Sequence, residues 1–529
     1  MSPTAPRRWR RAVLRLANLL EKPSATRLAI VAVGLLGLAF ALYQLAEPGA
    51  LYGVTEYDDG IYFGSSVLLV HGYLPYRDFA FSMPPGITLL MAPVAAVAHL
   101  VGTRMGIAIV RVITAVVAGL NCSLAGALVR HRGAFTVLVA GGLLAAWPTA
   151  VYADHTLMLE PYLSAFCLLS LLLAFTGATE LTRRRIFVAG CALGFAGDIK
   201  VWAIFVAVPA LAVMVFRARQ RVRAYLVGIV AGFVLPALPF FAFAPAAMLH
   251  DNVVLWFMPG RVYMGTLTFR LSLLTGVYGL AHLATDAPLT TVVVVAATAL
   301  LVVGYVVWRR RSAPIEWLVL GCAATTVTVL LAAPLFYAHH LYFAFVFIAP
   351  ALAVALTNAA TLAAAGLARA RHWPAVATRA VVSGALACAL VLAGAVLVVP
   401  PEMSSDSVLL KAADIGSVIA ATIPAGGCVV SDRSIILLVA NRFVSDAREC
   451  PRIVDPTAIE AEVDGRTKYS APAHDRVVAD WITWFSVARY AVISDRSIRR
   501  IPWNRQLRQW FHAHYRPLHR AAIWERIGT

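Results

Sequence analysis

LAIVAVGLLGLAFALYQL, residues 28–45, and the run Glu56-Tyr57-Asp58-Asp59-Gly60-Ile61-Tyr62 just after it decide how this chain folds. The first stretch is an unbroken apolar segment close to the roughly 20 residues a helix needs to cross a bilayer. The second places three carboxylates directly beyond it. Acid at a membrane face is expensive to desolvate, so acids held there point to a function.

Outward from this point the pattern repeats. The 529 residues are 60% hydrophobic and 14% charged, with a mean hydropathy of +0.77. That composition excludes an ordinary soluble globular protein. The net charge of +18 could signal nucleic acid, but its placement argues against it. The arginines sit in short clusters between apolar segments: Arg7 to Arg15, Arg130/Arg132, Arg183-Arg184-Arg185, Arg217 to Arg223, Arg309-Arg310-Arg311 and Arg369 to Arg379. This is the positive-inside pattern, and it puts all six clusters in the cytoplasm.

Threading the chain between those clusters gives spans at Leu28–Leu45, Ile107–Val129, Phe135–Val151, Tyr162–Thr176, Tyr225–Phe243, Leu289–Trp308, Trp317–Ala333, Phe343–Leu367 and Val381–Val399. Two shorter runs, Ile186–Ala196 and Val201–Phe216, flank Asp198-Ile199-Lys200 and read as a helical hairpin with its tip in a cavity. The expected architecture is a polytopic α-helical membrane protein of about eleven transmembrane helices. Gly86–Val101, after Pro84-Pro85, and Leu267–Leu283 read as interfacial helices, because spanning would put arginine clusters outside.

After Pro400-Pro401 the long apolar runs stop. The chain therefore divides into a cytoplasmic basic N-terminus (1–27), a membrane domain (28–400) and a soluble domain (401–529), which parity places outside the cytoplasm. Ser407–Ile423 reads as an amphipathic helix, and Cys428–Val430 and Ile435–Val439 as short strands of an α/β domain. Cys428 and Cys450 lie in this region, where an oxidising compartment favours a disulfide. The other cysteines fall in apolar spans, and no metal-ligand spacing occurs.

Sorted by side, the inner loops carry arginine, while acids, bases and cations gather on the outer face. The acids are Glu56, Asp58, Asp59, Asp78, Asp154, Glu160 and Asp198; the partners are His71, Arg77, Arg111, His155, Lys200, Arg261, Arg270, His339 and His340, with Arg77-Asp78 reading as a structural ion pair. A carboxylate can take a proton from an acceptor hydroxyl, and cations can neutralise a departing phosphate. No strand, glycine-rich loop and helix for a nucleotide is visible, which favours a phosphate carried by a lipid. His339-His340 lack a third ligand at metal-binding spacing and read as packing or sugar contacts.

Asp58-Asp59 after the first span, the segment His71-Gly72-Tyr73-Leu74-Pro75-Tyr76-Arg77-Asp78-Phe79, Pro84-Pro85-Gly86, Arg111, Asp154-His155 to Glu160-Pro161 and Gly194 to Lys200 follow one another in an order that resembles the GT-C glycosyltransferases. The similarity is to the branch of polyprenyl-phosphate-mannose protein mannosyltransferases and aminoarabinose transferases (glycosyltransferase family 39-like), over about residues 28–350. It implies a sugar moved from a polyprenyl-phosphate donor to an envelope glycan, lipid or protein acceptor at the outer face of the plasma membrane. It assigns the general base to the first-loop acid, Asp58, with Asp59 as the alternative. Asp154 or Glu160 would be the second-loop acid. His155 and His339 would meet substrate, and Arg111, Lys200, Arg261 and Arg270 would hold the donor phosphate. No cofactor is required, although a divalent cation would be compatible. Two competing functions share the composition: a transporter or lipid-linked-sugar flippase, and an accessory scaffold that binds glycan through its C-terminal domain.

Overall fold

The computed structural model describes residues 22–54, 56–176, 182–254, 266–276, 286–307, 312–333, 336–371, 414–463, 471–494, 500–518 and 522–528. The expected Val381–Val399 span, Arg261 and the first part of the expected Ser407–Ile423 helix (residues 407–413) lie outside them. The chain is a multi-pass membrane protein built of helices, with a small sheet at its C-terminal end.

The first helices in chain order are α1 (Pro23–Leu45), α2 (Asp58–Val70), α3 (Gly86–Val101), α4 (Thr103–Leu128), α5 (Ala134–Ala145), α6 (Pro148–Ala153) and α7 (Leu159–Phe175). They continue with α8 (Arg183–Ile199), α9 (Ile204–Arg217), α10 (Val222–Phe243), α11 (Pro245–Leu249), α12 (Leu267–Thr275), α13 (Asp286–Leu301), α14 (Pro314–Ala332) and α15 (His340–Arg371). Among the described residues six helical stretches are long and apolar enough to cross a membrane: Pro23–Leu45, Thr103–Leu128, Arg219–Phe243, Pro288–Val306, Pro314–Ala332 and His340–Leu362. Gly86–Val101, Ala134–Ala145, Leu159–Phe175 and Val201–Arg217 are apolar but shorter.

Two expectations change here. The span drawn over Phe135–Val151 is broken, because Pro148 forces Trp147 into an extended conformation and starts the separate helix α6. The Asp198-Ile199-Lys200 segment does not close a hairpin. Lys200 is extended, a single 3-10 turn follows at Val201–Ala203, and the two flanking helices part. Helix α8 packs on α7 and α10, whereas α9 packs on α14. Glycine explains the choice: a Cβ on Gly194 would lie 2.1 Å from the Ile229 carbonyl, so only glycine lets α8 and α10 approach this closely.

The C-terminal part comprises α16 (Ile415–Thr422), β1 (Val429–Ser431), α17 (Ser434–Val439), α18 (Pro456–Val463), α19 (Ala471–Val487), β2 (Tyr490–Val492), α20 (Arg505–His514), β3 (Tyr515–Pro517) and β4 (Ile523–Arg526). The sheet order is β1-β2-β4-β3, with β1 and β2 parallel (Val430 opposite Ala491) and the other pairs antiparallel. Trp481, Phe485, Phe511 and Tyr515 fill the core behind it. The structure pairs Cys428 with Cys450 in a disulfide.

Ile435–Val439, expected as a strand, is the helix α17. All six residues from Ser434 to Val439 are buried, so no alternation could mark a strand face. The helix wedges against α2 and α4, and Gly60 makes room for it: a Cβ there would meet the Ile435 backbone nitrogen at 2.2 Å. Its C-terminal end is tied down by Thr103, whose hydroxyl donates to the Leu438 carbonyl at 2.6 Å, and by Asn441, whose side-chain oxygen accepts from the Arg104 N–H at 2.8 Å. Through α17 the C-terminal part seats on the helix that carries Asp58 and Asp59.

Candidate active site

Asp58 and Asp59 open α2, where a helix N-terminus favours negative charge. One residue of helix turns their side chains to different surroundings. Asp59 is fully buried. Its Oδ2 takes charge-assisted bonds from Arg111 Nη2 (2.5 Å) and Nε (3.0 Å), and its Oδ1 accepts the Leu157 N–H at 2.5 Å. Arg111, also fully buried, donates through Nη1 to the carbonyls of Ala50 (2.7 Å) and Leu51 (3.0 Å). This pair fastens four pieces of chain: the stretch just after α1, α2, α4 and the segment leading into α7.

Asp58 faces the other way and keeps 24% of its side chain exposed. Its Oδ2 accepts from the Tyr62 hydroxyl at 3.4 Å and lies 3.9 Å from His339 Nε2. Among the described residues no lysine or arginine reaches it within 4 Å. Burial, followed by the charges of Glu56, Glu160 and Asp455, pushes its proton affinity up to about 7, against a smaller opposing pull from Lys200. His339 is driven the other way, to about 4, first by burial and then by Lys200, with Glu160 opposing.

Behind Asp58 lies a second buried pair. Lys200 Nζ donates to Glu160 Oε1 at 2.6 Å and rests 3.7 Å from the centre of the Trp202 ring. The residues Asp198 and Lys200, neighbours in sequence, do not pair; the extended backbone at Lys200 turns its ammonium to α7 instead. Trp202 in turn packs edge-on against His340. Ligand atoms of Glu160, His339 and His340 lie within 4.8 Å of one another, so the third ligand that spacing hid is supplied by α7. One carboxylate and two imidazoles suit a divalent ion such as zinc. At that same carboxylate, however, a lysine ammonium already provides the positive charge.

The remaining candidates fall around this centre with different partners. Asp154 is buried and bonded to the hydroxyl of Tyr342, which also accepts from Asn121 Nδ2 at 2.9 Å. His155 is part-buried, with Nδ1 3.2 Å from the Val151 carbonyl. Arg270 is fully buried on α12; Nη1 donates to the carbonyls of Leu330 (3.2 Å), Leu331 (3.1 Å) and Ala333 (2.5 Å), which caps the end of α14, and its guanidinium lies over Phe336. Arg77 and Asp78 form an exposed ion pair at 2.7 Å. Sequence reading passed over Tyr62, over the hydrogen bond from Tyr152 to Glu56, and over Asp455, which reaches Tyr57 from 398 positions away.

No protein-family model and no curated protein sequence matches the chain. Solved structures do. The structure of ArnT from Cupriavidus metallidurans, bound to undecaprenyl phosphate, aligns with a TM-score of 0.59 at 13% identity, over 94% of this chain and 98% of that one. The oligosaccharyltransferase of Archaeoglobus fulgidus, in complex with zinc and sulfate, aligns with a TM-score of 0.53 at 13% identity, over 88% of this chain and 67% of that one. The same oligosaccharyltransferase tethered to an acceptor peptide gives 0.51 at 12% identity, over 79% and 63%. The chain therefore has the GT-C fold that its sequence resembles.

Proposed function

We propose that this protein is a membrane glycosyltransferase that moves a sugar from a polyprenyl-phosphate donor to an envelope glycan, lipid or protein acceptor outside the cytoplasm. The observation that carries the reading is the environment of Asp58: a carboxylate partly open to solvent, not neutralised by a cation, beside a buried ammonium. A proton affinity near neutrality suits a general base, because the group is ionised often enough to act and basic enough to pull. The GT-C fold, shared with a structure that binds undecaprenyl phosphate, supports the choice of donor.

In the proposed step the acceptor hydroxyl attacks the anomeric carbon from the face opposite the phosphate. The new C–O bond forms as the bond to the phosphate oxygen breaks, and the configuration inverts. The hydroxyl proton goes to Asp58, and the lipid phosphate leaves with the bonding electrons. Lys200 offsets the charge that develops on it. All three described phosphate candidates have protein partners: Arg111 is paired with Asp59, Arg270 with backbone carbonyls and Lys200 with Glu160. Lys200 is the one whose charge acts on Asp58, so the role centres on it, with Arg261 as a second candidate. In this scheme the lysine supplies the charge and a metal is dispensable. We place the Asp58 face and residues 401–529 outside the cytoplasm, following the arginine clusters.

The test is release of free polyprenyl phosphate by the purified protein in liposomes from a panel of polyprenyl-phosphate-linked hexoses and pentoses, with and without EDTA. Turnover of at least one donor, insensitive to EDTA, is expected. Binding of donors with transbilayer movement and no turnover would replace the transferase with the flippase reading.

A further inference from the structure

The first loop does not hold Asp58 in place by itself. Asp455, at the start of α18 and 4% exposed, enters from the C-terminal part. Its Oδ1 accepts from the Tyr57 hydroxyl at 2.9 Å, and its Oδ2 accepts from the Ser82 hydroxyl at 3.2 Å. Tyr57 is the residue before Asp58 and the N-cap of α2. Ser82 precedes Met83, whose carbonyl accepts from Tyr76 at 2.5 Å, and Pro84-Pro85, which launch α3. One carboxylate therefore joins both ends of the helix-and-loop unit that carries the proposed base. Arg500 adds a second contact from the same side, 4.3 Å from the centre of the Tyr57 ring.

A plain helix cap would explain part of this. Asp455 Oδ1 does accept the Thr457 N–H at 3.0 Å, as an N-cap aspartate should. A cap needs one oxygen and tolerates exposure. Here both oxygens reach hydroxyls on the opposite part of the molecule, and the group is buried at the junction.

We propose that Asp455 is a positioning residue: the C-terminal domain, through this carboxylate, fixes the Tyr57–Ser82 frame and with it the placement of Asp58, so that the transfer site is complete only when the two parts are docked. What the placed proton acceptor does rests on the transferase reading; that it is placed from the C-terminal domain does not. The charged and titratable groups facing Asp58 are Glu56 on its own loop, Tyr62 one turn along α2, Glu160 on α7, Lys200 at the end of α8, His339 before α15 and Asp455 from the C-terminal part. Of these, Asp455 is the acid supplied by the C-terminal part.

The experiment uses the full chain in lipid nanodiscs. Amide hydrogen exchange of residues 57–82 is followed by mass spectrometry, and donor turnover is measured alongside. Asp455→Ala loses the contacts, so exchange across 57–82 should rise about tenfold or more and turnover should fall about tenfold or more, in kcat and not in KM. Asp455→Asn keeps the cap and the Tyr57 contact through its Oδ1 and offers its Nδ2 to the Ser82 oxygen, so it should recover both. If the alanine variant does not fold, Tyr57→Phe and Ser82→Ala together remove the same contacts without disturbing the cap and should show the same changes. Wild-type exchange across 57–82, or wild-type turnover, in Asp455→Ala or the double variant overturns the proposal. If the wild type turns over no donor, the transferase reading fails, and the exchange arm still decides whether Asp455 fixes the frame around Asp58.

Discussion

Asp58 and Asp59 are neighbours in sequence and opposites in setting. Asp59 is sealed, bonded twice to Arg111 and once to a backbone N–H, and its partner is bonded onward to two carbonyls. Asp58 is left part-open, with a tyrosine hydroxyl at long range and a histidine held neutral. A buried charge whose every oxygen is matched fixes structure. A carboxylate walled by other acids and denied a close cation stores the capacity to take a proton. The difference separates a structural aspartate from the one we propose as the site, and residue identity alone would not tell them apart.

The comparison breaks most visibly at Arg111. Arg111→Met leaves the Asp59 carboxylate buried without its cation and two carbonyls without their donor. Removing one partner of a buried pair costs about 3–5 kcal/mol. The variant should therefore show a sharply lower thermal midpoint and yield in detergent. A wild-type melting curve would remove Asp59–Arg111 from the scaffold.

A smaller effect is expected at Lys200. Lys200→Gln should weaken binding of undecaprenyl phosphate by roughly 10–100-fold, the size of a charge-assisted contact of about 1.5–3 kcal/mol. Isothermal titration or native mass spectrometry of the reconstituted protein measures it. Unchanged affinity would move the phosphate site elsewhere, with Arg261 the next residue to test.

The smallest effect sharpens Asp58 itself. Its proton affinity is raised in the folded protein to about 7, so the native state holds a proton that the unfolded chain releases near pH 4. Folded stability is therefore lost as pH rises from about 4 to 7, and it stays lost above that. Asp58→Asn should melt like the wild type at pH 4 and higher than it at pH 8, by on the order of 1 kcal/mol given the partial exposure. Equal melting at both values would mean that Asp58 carries no such burden.

Much of this was legible in the sequence. Long apolar runs and arginine clusters give the membrane class, because hydropathy and charge placement are local properties, and the GT-C fold is what the resemblance of the ordered motifs from Asp58-Asp59 to Lys200 implies. Cys428 and Cys450 could be paired from compartment alone. What failed was whatever depended on packing between distant segments. Ile435–Val439 is apolar throughout, and only its burial on α2 and α4 makes it a helix. The break at Trp147–Pro148 was visible as a proline yet submerged in a continuous apolar run. Lys200 stands out in the sequence, but its partner does not: backbone geometry gives it Glu160, forty positions back. Arg111 and Arg270 looked like phosphate cations because charge in a membrane protein suggests a ligand; their partners are a carboxylate and a helix end. Asp455 carried no signal, since nothing near it in sequence hints at Tyr57.

The most direct test of the division between the two aspartates is donor turnover per folded molecule, measured for Asp58→Asn and Asp59→Asn in the same liposomes. Asp58→Asn should fold normally and lose turnover by about 10²–10⁴-fold, the worth of a positioned general base. Asp59→Asn should lose folded protein, while the fraction that remains folded retains measurable turnover. Normal turnover in Asp58→Asn, or its loss in folded Asp59→Asn alone, would reverse the assignment.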